Sequence, residues 1–424
     1  MSEPLKKTDD QSFLRKLGPG LITGAADDDP SGIATYSQAG AQFGMNMLWT
    51  SLVTFPLMVG IQIVSARIGR VTGEGLAANI RRLFPRWVLL TIVFLLVVAN
   101  TINIAADIAA MGEALQLVIG GGEHGHAVIF GILSLLLQVF IPYQRYVRVL
   151  KWLTLSLLAY VAVAFSVHID WADTIRKSFV PTLSFNPDFV AVVVAVFGTT
   201  ISPYLFFWQA SQEVEELRAG NGTSSLTSTQ EDAGLHLRRI TIDTYVGMGF
   251  SNLIAFFIIL SAAVTLHVAG ITQIQTSAQA ALALRPIAGE FSFLLFSLGI
   301  IGTGMLAVPV LAGATAYAVA DSFGWRQGLD RKLFEATEFY AIIAVATLGG
   351  VLLDFTPIDP IKALFWSAVI NGVIAVPIMV VMMLMAIRVD VMGPFVIKRR
   401  LKFLGWLATA AMALAVVTML ATAW

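Results

Sequence analysis

Apolar runs divided by short polar stretches pattern the whole chain. Eleven runs approach or exceed bilayer length, at 17–43, 47–68, 87–119, 126–142, 150–168, 188–211, 241–268, 291–323, 334–354, 361–387 and 403–422. About 20 apolar residues in an α-helix cross the hydrocarbon core of a membrane. A lipid-embedded backbone must satisfy its own polar groups, so runs of this length predict helices. Several exceed the minimum, which permits tilt without setting an angle.

Two of the runs are interrupted. The first enters with Gly18-Pro19-Gly20 and is broken across Ala26-Asp27-Asp28-Asp29-Pro30-Ser31-Gly32. The sixth is broken across Gly198-Thr199-Thr200-Ile201-Ser202-Pro203. Proline lacks the backbone donor and clashes with the preceding turn, and glycine adds backbone freedom. The broken runs are the first members of two successive sets of five. Matching interruptions in two halves predict an inverted-repeat transporter with its site near the midplane. Five is odd, so the second set starts from the opposite face. This divides the chain into a cytosolic tail at 1–16, helices one to five at 17–169, an extracellular loop at 170–187, helices six to ten at 188–388, and a cytosolic loop with helix eleven at 389–424. The polar segment 211–237, with Gly220-Asn221-Gly222, reads as a linker with short helical ends.

Composition removes the soluble alternative. The 424 residues are 57% hydrophobic and 13% charged, against about 25% charged in soluble domains, and mean hydropathy is +0.78. The formal net charge of zero hides an asymmetry. All but four of the 27 Lys and Arg residues fall on one side; Arg176, Lys177, Arg285 and Lys362 fall on the other. The positive-inside rule then predicts a multi-pass protein of the plasma membrane, with its N-terminus cytosolic and its C-terminus extracytoplasmic. The basic clusters are thus orientation signals, and no nucleic acid partner is expected. The polar 1–16 stretch does not read as a cleavable leader. Cysteine is absent, which excludes disulfides and thiolate metal sites.

The chemistry concentrates at the breaks. Irregular backbone at membrane depth persists where it is buried in protein or lines a wet cavity, and its freed carbonyls, here those of Ala26 and Thr199, become candidate ligands. An ionised carboxylate inside a membrane costs from about 2.5 kcal/mol upward, so Asp29 predicts a cation partner. Asp28 is a further candidate ligand; otherwise Asp27 and Asp28 cap the second half-helix or line a water vestibule. Side-chain donors at the breaks are Asp29, Thr199, Thr200 and Ser202, with no Met, Cys or His. Oxygen-only sites suit magnesium, calcium or manganese, and magnesium keeps much of its water. Asp107 reads as a residue of the outer pathway or a proton route. Glu113, His124 and His126 read as solvated; Gln209, Asp243 and Asn252 as interhelical hydrogen-bonders; Phe206, Phe207 and Trp208 as packing or lipid-facing.

On these residues the chain resembles the Nramp family of metal transporters, over most of its length. Asp29-Pro30-Ser31-Gly32, Gln38-Ala39-Gly40-Ala41, Phe43-Gly44 and Leu48-Trp49 are similar to that family's Asp-Pro-Gly-Asn element and the Gln-Ala-Gly-Ala stretch after it. Ile201-Ser202-Pro203-Tyr204 stands where the family has Met-Pro-His; Phe250-Ser251-Asn252 and Gly302-Thr303-Gly304 also fit. The resemblance implies an all-α integral membrane protein of LeuT-type fold, a 5+5 inverted repeat plus an eleventh helix. It implies Asp29 as metal ligand, Ala26 and Thr199 as carbonyl ligands, and Gly32 and Ser202 as ligand positions with changed side chains. Asn371 stands near the family's polar residue on helix ten; it reads as a metal contact or as a helix–helix hydrogen bond beside close packing at Gly372.

The departures are as informative. Gly32 replaces the family's Asn, Ser202 its Met and Tyr204 its His. Its acidic proton-route residues fall at Ala106 and Ala109, one position from Asp107, and its arginines of helix nine are missing from 334–354. These losses resemble the Nramp-related magnesium transporters, which lack the thioether and are not proton-coupled. The expectation is a secondary transporter working by alternating access on a hard divalent cation, magnesium or manganese, without proton coupling. The cation is substrate; no resident cofactor and no obligatory protein partner are expected, and the lipid bilayer is the other partner. The alternative is a LeuT-type carrier of an amino acid or other small organic solute, which three consecutive aspartates would repel if it were a carboxylate. No nucleophile–base arrangement or P-loop points to an enzyme.

Overall fold

The structure, a computed structural model, describes residues 19–141, 145, 150, 152–219, 233–356 and 359–422. The predicted tail at 1–16 and the middle of the 211–237 segment, with Gly220-Asn221-Gly222, lie outside the described residues. The described residues are helical, with no strand. The main helices are α1 (Pro19–Asp27), α2 (Pro30–Phe43), α3 (Leu48–Thr72), α4 (Leu76–Leu83), α5 (Arg86–Ile119), α6 (Glu123–Phe140), α7 (Leu158–Ser166), α8 (Trp171–Phe179), α9 (Pro187–Thr200), α10 (Pro203–Ala219), α11 (Ala233–Ala262), α12 (Ser292–Phe323), α13 (Thr337–Leu353), α14 (Pro360–Ala386) and α15 (Arg399–Thr422).

Within the described residues each of the eleven predicted runs falls mainly on helix. Among the described residues eight stretches have the length and apolarity of a membrane span, with Pro30–Thr72 counted as one; Leu153–Ser166 and Thr337–Leu353 are shorter apolar helices. The breaks are narrower than the sequence suggests. Only Asp28 and Asp29 separate α1 from α2, and only Ile201 and Ser202 separate α9 from α10. Glycine inside a helix costs about 1 kcal/mol and does not stop it. Proline does, and then restarts the helix from its first position, so each break lies directly before Pro30 or Pro203. Two amphipathic helices, α4 and α8, appear where no bilayer-length run exists. Helix α8 occupies the predicted loop at 170–187 and is capped by Asp170, whose side chain accepts from the amides of Ala172 and Asp173.

The broken helices form the centre. In Pro187–Arg218, 94% of the most apolar stretch is buried, against 28% in α6 and α15, so the latter two are peripheral. Large apolar side chains such as Phe94, Ile129, Phe140, Phe165 and Leu414 stay exposed on the outside, as a lipid-facing surface requires. Phe206, Phe207 and Trp208 are instead fully buried, so of their two readings packing holds. Helix α2 packs on α9, and α1 on α10 and most extensively on α11. Glycines permit these approaches. A Cβ at Gly24 would lie 2.3 Å from the carbonyl of Gly247, and one at Gly198 would lie 2.1 Å from the Ala368 oxygen and 2.5 Å from the Gly372 nitrogen.

The two ends of the bundle differ. At the end rich in basic residues, Arg70 Nη1 lies 3.8 Å from Glu213 and 3.4 Å from Glu216. Arg239 pairs with both glutamates, at 3.4 Å from Glu213, and Arg70 also contacts His236 at 2.8 Å. At the opposite end a cavity of about 700 Å³ opens between the end of α2, the starts of α9 and α14 and the end of α15, lined among others by Gln38, Asp188, Gln273, Lys362 and Trp366.

Candidate metal site

Asp29 sits at the N-cap of α2 with extended backbone (φ −72°, ψ 170°). The first amides of a helix lack intrahelical acceptors, and a short carboxylate there accepts one. Asp29 Oδ1 accepts from Gly32 N at 2.6 Å. Its Oδ2 faces the other way, accepting from Asn103 Nδ2 at 3.0 Å and from the Tyr204 hydroxyl at 3.4 Å. The side chain is buried, at 2% exposure. Gly32 therefore contributes an amide to the carboxylate. A Cβ there would stand 3.3 Å from the Tyr36 ring and 3.4 Å from Asp29 Oδ1.

Ala26 and Thr199 lie in the last turns of α1 and α9, where carbonyls have no helical donor. The Ala26 oxygen accepts from Tyr204 OH at 3.1 Å, so one tyrosine ties the first break to the second. Ser202 donates to the carbonyls of Gly198 and Thr199, at 2.9 and 2.7 Å. The two sixth-run candidates thus meet each other, the serine hydroxyl satisfying the carbonyls that the break exposes. Thr200 donates to the Val196 carbonyl at 2.7 Å and contacts Tyr36 OH at 2.9 Å, which joins α9 to α2.

Asp27 and Asp28 turn toward α11. Ser251 Oγ lies 2.5 Å from Asp27 Oδ2 and 3.0 Å from Asp28 Oδ1. On α14, Ser367 and Asn371 are one turn apart. Ser367 contacts Ser31 Oγ at 3.1 Å, which places that face of α14 against the start of α2. Asn371 is buried, and its Oδ1 has no hydrogen-bond partner. Gly372 is at the close approach to Gly198.

Asn103, Tyr36 and Ser251 also hydrogen-bond groups at the breaks, and no motif in the sequence singles them out as ligands or supports. A signal for Asn103 is its i, i+4 spacing from Asp107 on a helix, although the same run also carries Asn100, Thr101, Glu113 and Gln116. Asp107 is fully buried and neither of its oxygens has a hydrogen-bond partner. Glu113 is not simply solvated, since it accepts from the amide and hydroxyl of Ser277 at 2.9 and 2.8 Å. His124 is half-exposed and contacts Asp354 at 2.9 Å. Gln209 bonds Thr244 and Gln62, Asn252 accepts from Thr54, and Asp243 accepts from the amide of Gly20 at 2.7 Å, all interhelical bonds as expected. Among the described residues no three His, Cys, Asp or Glu side chains form a metal-holding group. The groups gathered at the breaks are carbonyls, hydroxyls, a side-chain amide and carboxylates, and oxygen donors of this kind suit hard cations.

The comparisons with known proteins agree with this architecture. The family described as natural resistance-associated macrophage protein-like (Nramp) matches residues 20–422. The divalent metal cation transporter MntH of Erwinia tasmaniensis is 28% identical over 361 residues, which cover 80% of this chain and 82% of the relative. MntH of Klebsiella pneumoniae subsp. pneumoniae is 28% identical over 407 residues, 94% of this chain and 91% of the relative. In structure, the chain is similar to the Eremococcus coleocola manganese transporter, with a TM-score of 0.76 at 16% identity, covering 97% of this chain and 88% of that one. It is also similar to a nucleobase-cation-symport-1 family transporter in a closed conformation, with a TM-score of 0.56 at 13% identity, covering 96% and 92%. These likenesses show a LeuT-type fold.

Proposed function

This chain belongs to the Nramp family and is a multi-pass divalent metal transporter rather than an enzyme; on that premise we propose that its substrate is a hard divalent cation, magnesium first and manganese second, moved by alternating access without proton coupling. The observation that carries the choice of ion is Ser202. Where a soft-metal carrier needs a thioether, this chain has a hydroxyl that donates to the Gly198 and Thr199 carbonyls. Soft donors select transition metals, and carboxylate, carbonyl and water suit magnesium and manganese. Asp29 supplies charge through Oδ2, and Ala26, Thr199 and Asn371 supply neutral oxygens.

Two features support the uncoupled reading. Helix α13 carries no Lys or Arg, so it offers no cation to a proton chain there. The positions that match the family's acidic proton-route residues are the apolar Ala106 and Ala109. The positive-inside pattern supports placing the Arg70–Glu213–Arg239 end in the cytosol and the 700 Å³ cavity outside. A cation would enter from that cavity, past Gln38, while the ion pairs hold the cytosolic end shut.

Uptake into liposomes containing the purified chain, with internal pH followed, tests this. Magnesium is expected to enter without acidifying the lumen, and Asp29→Ala to abolish entry. Manganese entry without magnesium entry would reject the choice of ion, and acidification in proportion to flux would reject the uncoupled mechanism.

A further inference from the structure

Helix α5 presents two polar side chains on one face at the break. Residues i and i+4 of a helix are neighbours on its surface, so Asn103 and Asp107 look the same way. Asn103 fixes that direction, because its Nδ2 donates to Asp29 Oδ2 at 3.0 Å. Asp107 follows one turn along. It is fully buried, its two oxygens lack hydrogen-bond partners, and so does the Oδ1 of Asn103. The backbone amide of Ser31 lies near enough to act on both the Asp29 and the Asp107 carboxylates, without the geometry of a full hydrogen bond to Asp107, and the charges of both reach the Tyr204 hydroxyl. Among the described residues no Lys or Arg is one of the main groups acting on either carboxylate. Three unpartnered oxygens on one helix face, next to an acceptor already assigned to a cation, are costly in a buried place unless something positive completes them.

We propose that α5 supplies substrate ligands, the Asp107 carboxylate and the Asn103 amide oxygen, so that the divalent cation is held between Asp107 and Asp29. This deepens the metal-carrier reading and rests on Asp29 as the seat. It also accounts for Gly32, since a ligand absent from the start of α2 is replaced from α5. One carboxylate leaves a divalent ion with a net positive charge in a buried place. Two neutralise it, and the pair then favours divalent over monovalent cations by charge alone.

The test uses the full chain in liposomes with magnesium, manganese and cadmium as probes. Asp107→Asn is expected to raise KM for magnesium and manganese about tenfold, as loss of a charged contact would. Asp107→Cys brings the only thiol into a chain without cysteine. Cadmium is expected to protect that thiol from a maleimide reagent and to compete with magnesium about tenfold better than in the native chain, because a thiolate ligand prefers softer ions. A packing or hydrogen-bonding role for Asp107 would give neither cadmium effect. The proposal is overturned if Asp107→Asn leaves KM within about twofold, or if cadmium does not slow labelling. Should Asp107→Asn fail to fold, the cadmium protection of Asp107→Cys decides alone. Native uptake lost in Asp29→Ala but unchanged in Asp107→Asn rejects only the α5 ligands; absence of uptake and binding by the native chain rejects the seat as well.

Discussion

Ser202 has one hydrogen, directed at carbonyls 2.9 and 2.7 Å away. A methionine in its place could not donate, and would offer those carbonyls and a polarisable sulfur to the cation instead. Ser202→Met is expected to shift selectivity toward cadmium and manganese over magnesium by about tenfold, a change of roughly 1.4 kcal/mol in relative affinity, read from competition during uptake. An unchanged selectivity ratio would mean that position 202 does not face the ion. Residue types at the breaks were legible because proline and an acidic run stand out in an apolar sequence. Their partners were not. Asn103 lies 74 positions from Asp29 and Tyr204 lies 175 away, and such pairings follow from packing, which no local pattern encodes. The tyrosine was visible only as a departure from the family's histidine, without the Ala26 carbonyl it holds.

Helix α1 has nine residues, too few to stand alone in water or lipid, so its position depends on what it packs against. Gly24 against Gly247 lets the backbones of α1 and α11 touch, and Asp243 accepts from the amide of Gly20 at the start of α1. Gly24→Ala places a methyl 2.3 Å from the Gly247 carbonyl, with backbone rather than a flexible side chain in the way. Overpacking of this kind costs about 1–3 kcal/mol. Gly24→Ala is therefore expected to lower Tm in detergent and to slow uptake, while Gly234→Ala, with nothing within 4 Å of its Cβ, changes neither. Equal behaviour of the two variants would show that the seam is not tight. At this scale the sequence was most informative for long helices, because an apolar run of bilayer length has few alternatives. Helices α4 and α8 escaped because eight or nine amphipathic residues resemble a loop until something packs on one face.

The two ends of the molecule differ: buried ion pairs tie the described residues at one, and a cavity opens at the other. Glu213, with a side chain at 0% exposure, lies between Arg70 and Arg239. Removing the sole partner of a buried charge costs about 3–5 kcal/mol; Arg70→Met leaves Arg239 beside Glu213, so the cost is smaller. Arg70→Met is thus expected to favour a state that wets Glu213, raising its population about tenfold. Thiol labelling of Thr23→Cys from the basic end, with and without Arg70→Met, measures this; equal rates would show that the pairs do not hold that end shut. The cap at Asp29 carries a consequence for such a cycle. One carboxylate begins α2, through Gly32, and in the proposed site it is also the first charge on the ion. A cation drawing electron density from Oδ2 weakens what Oδ1 gives the helix start, and a loosened start releases Oδ2 to follow the ion. Occupancy and helix order are then two readings of one equilibrium, and a ligand shifts such an equilibrium by its differential affinity for the two states. On the proposed site, the carrier would sense whether it is loaded with the same atoms that do the loading.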